Sequence, residues 1–530
     1  MTFDRPESEH LFRLRPALRT GQPRERAMAA DTTPATHEPP RDGVSGGMRK
    51  SLGRFDIVFL TIGAVIGIDT IAQIAAIGGA QAFTWSAVIS VTFLFPYALV
   101  MAELGSTFRE EGGPYVWVRM AFGRLTAGIS TMFYWVTNPI WLGGSLAFIA
   151  VTTWDTYVSP ISAGSLGDYL FKVAFIWLAI LTSMVGLQHG KWVINIGAIV
   201  KVILVLTFVV SVTIYAVKNG IHGYGAGDFS PTTAGFLAVT PVLLFAFVGF
   251  EAPSGAAEEM RNAKRDVPVA IASSGAIAVL CYLLPIFAIL AVIPAQKVSG
   301  ASGFLDAVKT VFSVYGPAGP TMLTIVAVAF IFVVLTQGSA WMVASDRVQA
   351  IAGADGAFPR WFGAFHPRLG TPVRVNLLSG AVATAFTLLA TALVKGDTAD
   401  VFQVVLTIAV TTLLLSYLII FLTVVRLRSR YAHVERPYRI PGGRAGLWTS
   451  TILIYCWVLL GSWVAVFPGT IEMLLGIPYD FHATWGVSRP VFETFTLGTL
   501  TAIVAIAVSG YAWAQRGSRS GRIAHPSAQD

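Results

Sequence analysis

The chain has 530 residues, of which 54% are hydrophobic and only 12% are charged, with a formal net charge of +8. A soluble domain carries about 25% charged residues, so this composition excludes a surface that faces water over most of the molecule. Long, continuously apolar runs predict α-helices that cross a bilayer, because each crossing needs about 20 residues. A transmembrane β-barrel would instead alternate apolar and polar residues. The predicted fold class is therefore an all-α polytopic membrane protein.

The chain begins with a polar segment, residues 1–50, that has no apolar core. Such a segment buries too little apolar surface to fold, so we expect a disordered tail. It also lacks the apolar stretch of a signal peptide. Twelve apolar spans follow, at residues 55–78, 83–105, 126–151, 169–187, 192–217, 234–257, 268–293, 319–345, 373–394, 401–425, 448–468 and 492–514.

The basic residues between the spans are divided unequally. With twelve spans both termini lie on one side, and the loops on that side hold 17 Lys and Arg residues against six on the other. Basic loops stay in the cytoplasm, so both termini are predicted to be cytoplasmic. This distribution explains the basic excess without nucleic-acid binding.

Two of the spans are interrupted near their middle. Span one carries Gly63 and Gly67 followed by Asp69, and span six carries Gly249 followed by Glu251. Two glycines four residues apart also form helix-packing faces. A charge at membrane depth is costly, however, and is by default functional or paired. Two breaks five spans apart, each beside an acid, favour a substrate site at the bilayer midplane.

Several motifs make the chain similar to a known family. In chain order they resemble the second and third helices, the sixth helix with its following loop, and the eighth helix with its exit loop of the amino acid–polyamine–organocation (APC) superfamily of transporters. The motifs lie at residues 102–105, 111–117, 245–251, 259–268, 345–347, 355–359 and 371–372.

The resemblance implies a fold and an activity. The fold would be a five-plus-five inverted repeat with broken helices one and six (51–425), then a basic loop with two extra helices (426–514) and a cytoplasmic tail (515–530). The activity would be secondary transport of amino acids, amines or polyamines, coupled to protons or to exchange, in the cell membrane. No cofactor or metal is expected, and the sequence has no Gly-Lys-Ser/Thr phosphate loop, in agreement with a carrier that uses no ATP.

The resemblance also implies which residues meet the substrate. Glu251 is expected to brace the helix-six break, and polar or amphipathic groups such as Tyr134, Gln337 and Trp341 lie at depth. The predicted substrate-binding residues are Gly63, Ala64, Gly67, Asp69, Thr70, Asn138, Phe247, Gly249, Phe250 and Ser339.

Asp69 departs from the pattern of the family, whose members usually have a glycine there and hold the substrate's α-carboxylate on free backbone N–H groups. A carboxylate at that point repels an anion by several kcal/mol unless a proton or cation intervenes. Three roles fit. Asp69 binds an amine, or it carries the coupling proton, or it is structural, neutralised by Lys201 or capping the second half-helix.

Lys201 lies in the middle of span five, at a position where proton-coupled relatives in the superfamily carry a lysine. The resemblance implies that its ammonium contacts backbone carbonyls near the helix-one break when charged and releases them when neutral. Burial disfavours the charged form, which makes proton exchange feasible. About 13 Å of helix separates it from the membrane surface, which is long for a side chain that only reaches the interface.

The sequence leaves two other function classes open. A membrane-embedded enzyme would need a nucleophile with its base or a metal cluster, and the histidine nearest to a span, His189, is in a loop. A non-transporting sensor with a transporter fold would fit if Asp69 marks lost amino acid binding. The expected partners are a small-molecule substrate, protons and the lipid bilayer. The substrate, the direction of coupling and the oligomeric state are left open by the sequence.

Overall fold

The structure is a computed structural model that describes residues 50–185, 187–221, 224–294, 297–298, 303–393, 398–485 and 487–523. The predicted N-terminal tail, residues 1–50, lies outside the described residues except for Lys50. Helices dominate the described ranges, which contain one isolated β-bridge, between Leu52 and Met260.

The N-terminal half is a series of helices whose ends and bends fall at glycines and prolines. They are α1 (Arg54–Val65), α2 (Ile68–Gly78), α3 (Gln81–Ile89), α4 (Phe95–Thr107), α5 (Gly113–Phe122), α6 (Arg124–Trp141), α7 (Ala147–Tyr157), α8 (Leu166–Met184) and α9 (Leu187–Asn219).

The C-terminal half continues the same pattern and begins with a short helix that stops within the predicted sixth span. The helices are α10 (Thr233–Ala246), α11 (Ala263–Val292), α12 (Gly303–Phe312), α13 (Gly319–Ala354), α14 (Val373–Leu393), α15 (Thr398–Ile420), α16 (Thr423–Arg430), α17 (Gly443–Val466), α18 (Thr470–Leu474), α19 (Phe481–Trp485) and α20 (Arg489–Ile523).

The described part of the chain has eleven helical segments long and apolar enough to cross a membrane. They correspond to eleven of the twelve predicted spans and confirm the all-α polytopic class. The remaining span, 234–257, is α-helical only as far as Ala246, so α10 is short and apolar, and a 3-10 helix, Ala252–Glu259, follows the break. The count of twelve and the inverted repeat stay predictions. At the C-terminal end α20 continues to Ile523, so the tail predicted from residue 515 starts as helix.

Long apolar helices pack around a central one. Helix α13 lies against α6, α8 and α9, while α1 packs along α11 and α6 along α15. Within α13, residues from Thr336 to Ala350 are buried without interruption, including Gln337, Asp346 and Arg347. A helix buried on all sides, with polar residues in its middle, indicates a polar site inside the bundle rather than a lipid-facing wall.

Candidate functional site

The first helix break separates α1 from α2 by two residues. Ile66 (φ −92°, ψ 99°) and Gly67 (φ −86°, ψ 88°) leave the helical conformation, and α2 begins at Ile68. The last carbonyls of α1 and the first N–H groups of α2 therefore lose their partners within the helix. The break brings these groups to the middle of the bundle, where they can bind a side chain, a substrate or an ion.

Lys201 of α9 binds the carbonyl end of this break. Its ammonium donates to Gly63 O at 3.0 Å and to Ile66 O at 2.5 Å, and the residue is only 1% exposed. The third donor bond goes to Gln337 Oε1 at 2.9 Å. An ammonium has three donors, so these three acceptors satisfy it completely.

Gln337 of α13 connects Lys201 to Asp69. While its oxygen accepts from Lys201, its amide nitrogen donates to Asp69 Oδ1 at 2.7 Å. The other oxygen of that carboxylate, Oδ2, accepts from Trp141 Nε1 at 3.1 Å. A buried carboxylate and a buried ammonium thus compensate each other through one amide, without a direct ion pair.

Asp69 is the second residue of α2 and is not the residue that caps it. Gly67 occupies the N-cap position and carries no side-chain cap, so the capping role considered for Asp69 is wrong. A carboxylate in the first helical turn still favours the positive end of the helix dipole. Thr70 donates from Oγ1 to Gly67 O at 2.8 Å, which fixes the turn after the break.

The second break follows α10 and lies directly against the first. Gly249 has φ +128°, a backbone conformation that L side chains rarely adopt. A Cβ at Gly249 would lie 3.1 Å from the Trp341 ring and 3.2 Å from the backbone of Ala64 and Val65. Glycine is therefore required both by the backbone conformation and by the close approach of the two breaks.

Glu251 holds the second break from outside the cavity. Tyr417 and Tyr134 donate to its Oε1 at 2.6 and 3.2 Å, and Tyr97 donates to Oε2. The same Tyr97 hydroxyl accepts from the N–H groups of Gly249 and Phe250 at 2.9 and 3.0 Å. Glu251 is fully buried and held by three phenols, a position that fits the bracing role proposed for it.

One hydroxyl reaches both breaks. Tyr282 of α11 accepts from the Gly67 N–H at 2.6 Å, and its oxygen lies 3.0 Å from Val65 O and 2.6 Å from Ala246 O. A phenol has one proton to donate, so it bonds to one of these two carbonyls at a time. Tyr282 therefore couples the end of α1 to the end of α10.

A small cavity lies between the two breaks. Its volume of about 20 Å³ is room for about one water molecule. The walls must move apart before an amino acid or an amine fits. The lining residues are Ala64, Gly67, Thr70, Thr137, Asn138, Trp141, Phe245, Ala246, Gln337, Trp341 and Leu413.

Four of the predicted substrate residues line this cavity: Ala64, Gly67, Thr70 and Asn138. Two further predicted residues, Asp69 and Gly63, lie next to residues that contact or line the cavity. Asp69 reaches the cavity through its donors Trp141 and Gln337, and Gly63 faces Lys201 through its carbonyl.

The two predicted phenylalanines pack behind the second break. Phe247 lies edge-on against Tyr282, with ring centroids 4.8 Å apart, and Phe250 lies against Tyr97 at 5.2 Å. Neither lines the cavity in this arrangement.

Ser339 is placed away from the cavity. Its hydroxyl donates to Ala179 O of α8 at 3.1 Å and is 3.0 Å from Leu335 O. Gln337 and Trp341 are four residues apart and share a helical face, whereas Ser339 lies about 200° around the helix from Gln337. The expected substrate contact of Ser339 therefore does not fit its position.

Several cavity residues were missing from the predicted site. Among them are Trp141 and Phe245, which form an edge-to-face pair at 5.8 Å. Tyr282, which contacts both breaks without lining the cavity, was not predicted either. The helical spacing of Asn138 and Trp141, three residues apart on α6, is the signal that would have found Trp141. Single apolar or aromatic residues such as Phe245 and Leu413 carry no such signal.

The side of the bundle that holds the described N-terminal segment is closed by ion pairs. Arg347 of α13 contacts Glu111 Oε1 at 2.6 Å and Glu259 Oε1 at 2.7 Å. Ser51 donates to the second oxygen of Glu259 at 3.0 Å. Burial raises the pKa of Glu111 to about 7; Glu259 acts in the same direction and Arg347 opposes it.

A bundle of membrane-spanning helices, two facing helix breaks and a small cavity between them define a membrane transporter. The sequence model of the family described as "Amino acid permease" matches residues 52–485. The chain belongs to this amino acid permease family, which confirms the resemblance to the APC superfamily.

Curated relatives agree with this class. The probable agmatine/putrescine antiporter AguD of Lactococcus lactis is 28% identical over 399 residues, which cover 74% of this chain and 83% of that protein. An uncharacterized transporter of Legionella pneumophila is 30% identical over 404 residues, 74% of this chain and 85% of the other. The methylthioribose transporter of Bacillus subtilis is 24% identical over 422 residues, which cover 75% of this chain and 85% of that protein. The family and these relatives are transporters and not enzymes.

Proposed function

We propose that this chain is a secondary active transporter that moves small organic cations, agmatine- or putrescine-like amines, across the cell membrane by alternating access. The observation that carries the proposal is the Asp69 carboxylate, which lies 1% exposed at the central break and whose side-chain donors among the described residues are the cavity residues Trp141 and Gln337. An ammonium or guanidinium that enters the cavity can replace these two donors.

Charge balance supports a cation over a zwitterionic amino acid. A free α-carboxylate at the first N–H groups of α2 would lie beside the Asp69 carboxylate, and like charges at low dielectric repel strongly. An amine has no carboxylate to place there. The relative named as a probable agmatine/putrescine antiporter fits this assignment.

Coupling is assigned to the relay that ends at Lys201. While charged, its ammonium binds Gly63 O and Ile66 O and holds the end of α1. Loss of its proton, or arrival of a substrate cation at Asp69, weakens these contacts and frees the break to move. The same relay therefore serves either exchange of one cation for another or symport with a proton, with both termini in the cytoplasm.

The test is flux into proteoliposomes that contain the full chain. Radiolabelled agmatine, putrescine, arginine and leucine are compared with and without an internal amine and with and without a pH gradient. We expect agmatine and putrescine uptake, driven by internal amine, to exceed leucine uptake at least about ten-fold. Preferred leucine uptake would overturn the substrate class, and no flux for any compound would favour the sensor.

A further inference from the structure

A second cavity lies along the same helices as the central one. Its volume is about 130 Å³, against about 20 Å³ for the central cavity. Gln73 lies four residues beyond Asp69 in α2, Val242 three residues before Phe245 in α10, and Val410 three residues before Leu413 in α15. On each of these helices the residues that line the two cavities are therefore about one turn, or about 5 Å, apart.

This outer cavity is on the side away from Arg54, the first residue of α1, and so on the predicted outer side of the membrane. Its far wall comes from the segment between α17 and α20, which contributes Glu472, Tyr479 and Trp485. Thr484 and Ile77, which also line it, are exposed, so the lining of the cavity includes residues at the surface of the protein. A ligand can therefore enter here without any movement of the central breaks.

Glu472 is the charged group of this wall. It is only 5% exposed, it lines the cavity, and its Oε2 has no hydrogen-bond partner among the described residues. The nearby cation Arg489 pairs instead with Glu493, 3.5 Å away, and stacks on Phe481 at 4.9 Å. A buried carboxylate oxygen without a hydrogen-bond partner is costly, and a cation is the group that normally balances a buried carboxylate.

The rest of the lining suits the body of an organic cation. Leu237, Val242, Val464 and Pro468 provide apolar walls. The Tyr479 hydroxyl accepts from Trp485 Nε1 at 2.7 Å, which fixes both aromatic rings. Burial, together with the Glu472 carboxylate, raises the pKa of Tyr479, so its phenol stays protonated. Aromatic faces and one carboxylate are the groups that bind ammonium and guanidinium ions.

We propose that this outer cavity is a second binding site for an organic cation, in which Glu472 pairs with an ammonium or guanidinium group before the ligand reaches the central cavity. The site selects cations at the entrance, because Glu472, the one charged residue among its described lining residues, would repel an anion. The proposal rests on the proposed function only for the choice of amine as the probe.

The test is equilibrium dialysis of radiolabelled agmatine with the purified full chain. We expect the wild type to bind at two classes of site and Glu472→Gln to lose one of them, with at least about ten-fold weaker binding there. Asp155→Asn is the control, because it removes an exposed carboxylate from the predicted outer side that does not line the cavity and does not pair with Arg489. Glu472→Asp should recover part of the binding.

The outcomes separate the two proposals. Binding that is identical in the wild type and Glu472→Gln overturns the outer site, whatever the flux measurements show. Agmatine binding that depends on Glu472 without agmatine flux in proteoliposomes upholds the outer site and overturns the proposed function. No agmatine binding to the wild type overturns the outer site as well. Monodisperse elution of each variant on size exclusion shows that the fold is intact.

Discussion

Lys201 and Asp69 are joined through a single side-chain amide, with Lys201 Nζ 2.9 Å from Gln337 Oε1 and Gln337 Nε2 2.7 Å from Asp69 Oδ1. The cation holds the end of α1, and the anion lies in the first turn of α2. A change in the charge of either group therefore acts on both sides of the same helix break. This link is the basis for assigning substrate binding and coupling to one relay.

Replacement of Lys201 tests the coupling. Lys201→Met keeps the length of the side chain but removes the donors to Gly63 O and Ile66 O. We expect uptake driven by a pH gradient to be abolished in proteoliposomes, because no titrating group then holds the break. Lys218→Met, at the exposed end of the same helix, should behave as the wild type. Uptake by Lys201→Met that still responds to the pH gradient would contradict the assignment.

Tyr282→Phe tests the connection between the breaks. The change removes the acceptor of the Gly67 N–H and the hydroxyl beside Ala246 O. A buried N–H without a partner costs about 1–3 kcal/mol, so thermal stability and transport should both fall. The measurement is thermal unfolding in detergent, together with flux. Tyr455→Phe, at a half-buried position in α17, is the control; equal effects of the two changes would argue against a special role for Tyr282.

Gly249→Ala tests the contact between the breaks. The new Cβ would lie 3.1 Å from Trp341 and 3.2 Å from Ala64, at φ +128°. Such backbone strain costs about 1–3 kcal/mol, and the collision should also separate the breaks. We expect strongly reduced flux at normal expression. Gly227→Ala is the control, because a Cβ there meets nothing within 4 Å. Normal flux in Gly249→Ala would show that the breaks need not touch.

The pH dependence of the ion pairs around Arg347 can be tested at Glu111. The pKa of its carboxyl rises from the ordinary 4.5 to about 7, so the folded state holds a proton more tightly than the unfolded chain. This contribution to stability is complete below pH 4.5 and is lost as the pH rises through about 7, at a cost of about 2 kcal/mol between pH 5 and 8.

Thermal unfolding at pH 5 and pH 8 measures this loss. Stability should decrease with rising pH in the wild type and decrease less in Glu111→Gln, whose side chain does not titrate. Glu435→Gln, which removes an exposed carboxylate 3.1 Å from Lys264, should keep the wild-type profile. A profile that is unchanged in Glu111→Gln would assign the pH dependence to another group.

The sequence was sufficient to predict the parts of the fold that depend on local composition. Apolar runs predicted eleven spans that the structure contains, and the glycines with their neighbouring acids predicted both breaks. Contacts between distant helices could not be predicted in this way. Tyr282 reaches the breaks from α11, more than 200 residues along the chain from Gly67, and no pattern in its own span distinguishes it.

The error at Ser339 has a different origin. Gln337, Ser339 and Trp341 are all suited to a site at depth, but helical geometry places only the first and third on one face. Helical spacing alone could therefore have predicted that Ser339 faces away from Gln337 and Trp341, and in the structure it contacts Ala179 of α8. The hydrogen bonds of Asp69 with Trp141 and Gln337 could not be predicted from the sequence, because they depend on how α2, α6 and α13 pack.

The most direct test of the account is the kinetics of agmatine uptake by wild type, Asp69→Asn and Asp69→Glu in proteoliposomes loaded with putrescine. If the Asp69 carboxylate binds the substrate cation, Asp69→Asn should lower kcat/KM for agmatine at least about ten-fold, and Asp69→Glu should retain part of it. Unchanged agmatine uptake and pH dependence in Asp69→Asn would contradict the account, because Asp69 would then be neither the cation site nor the proton carrier.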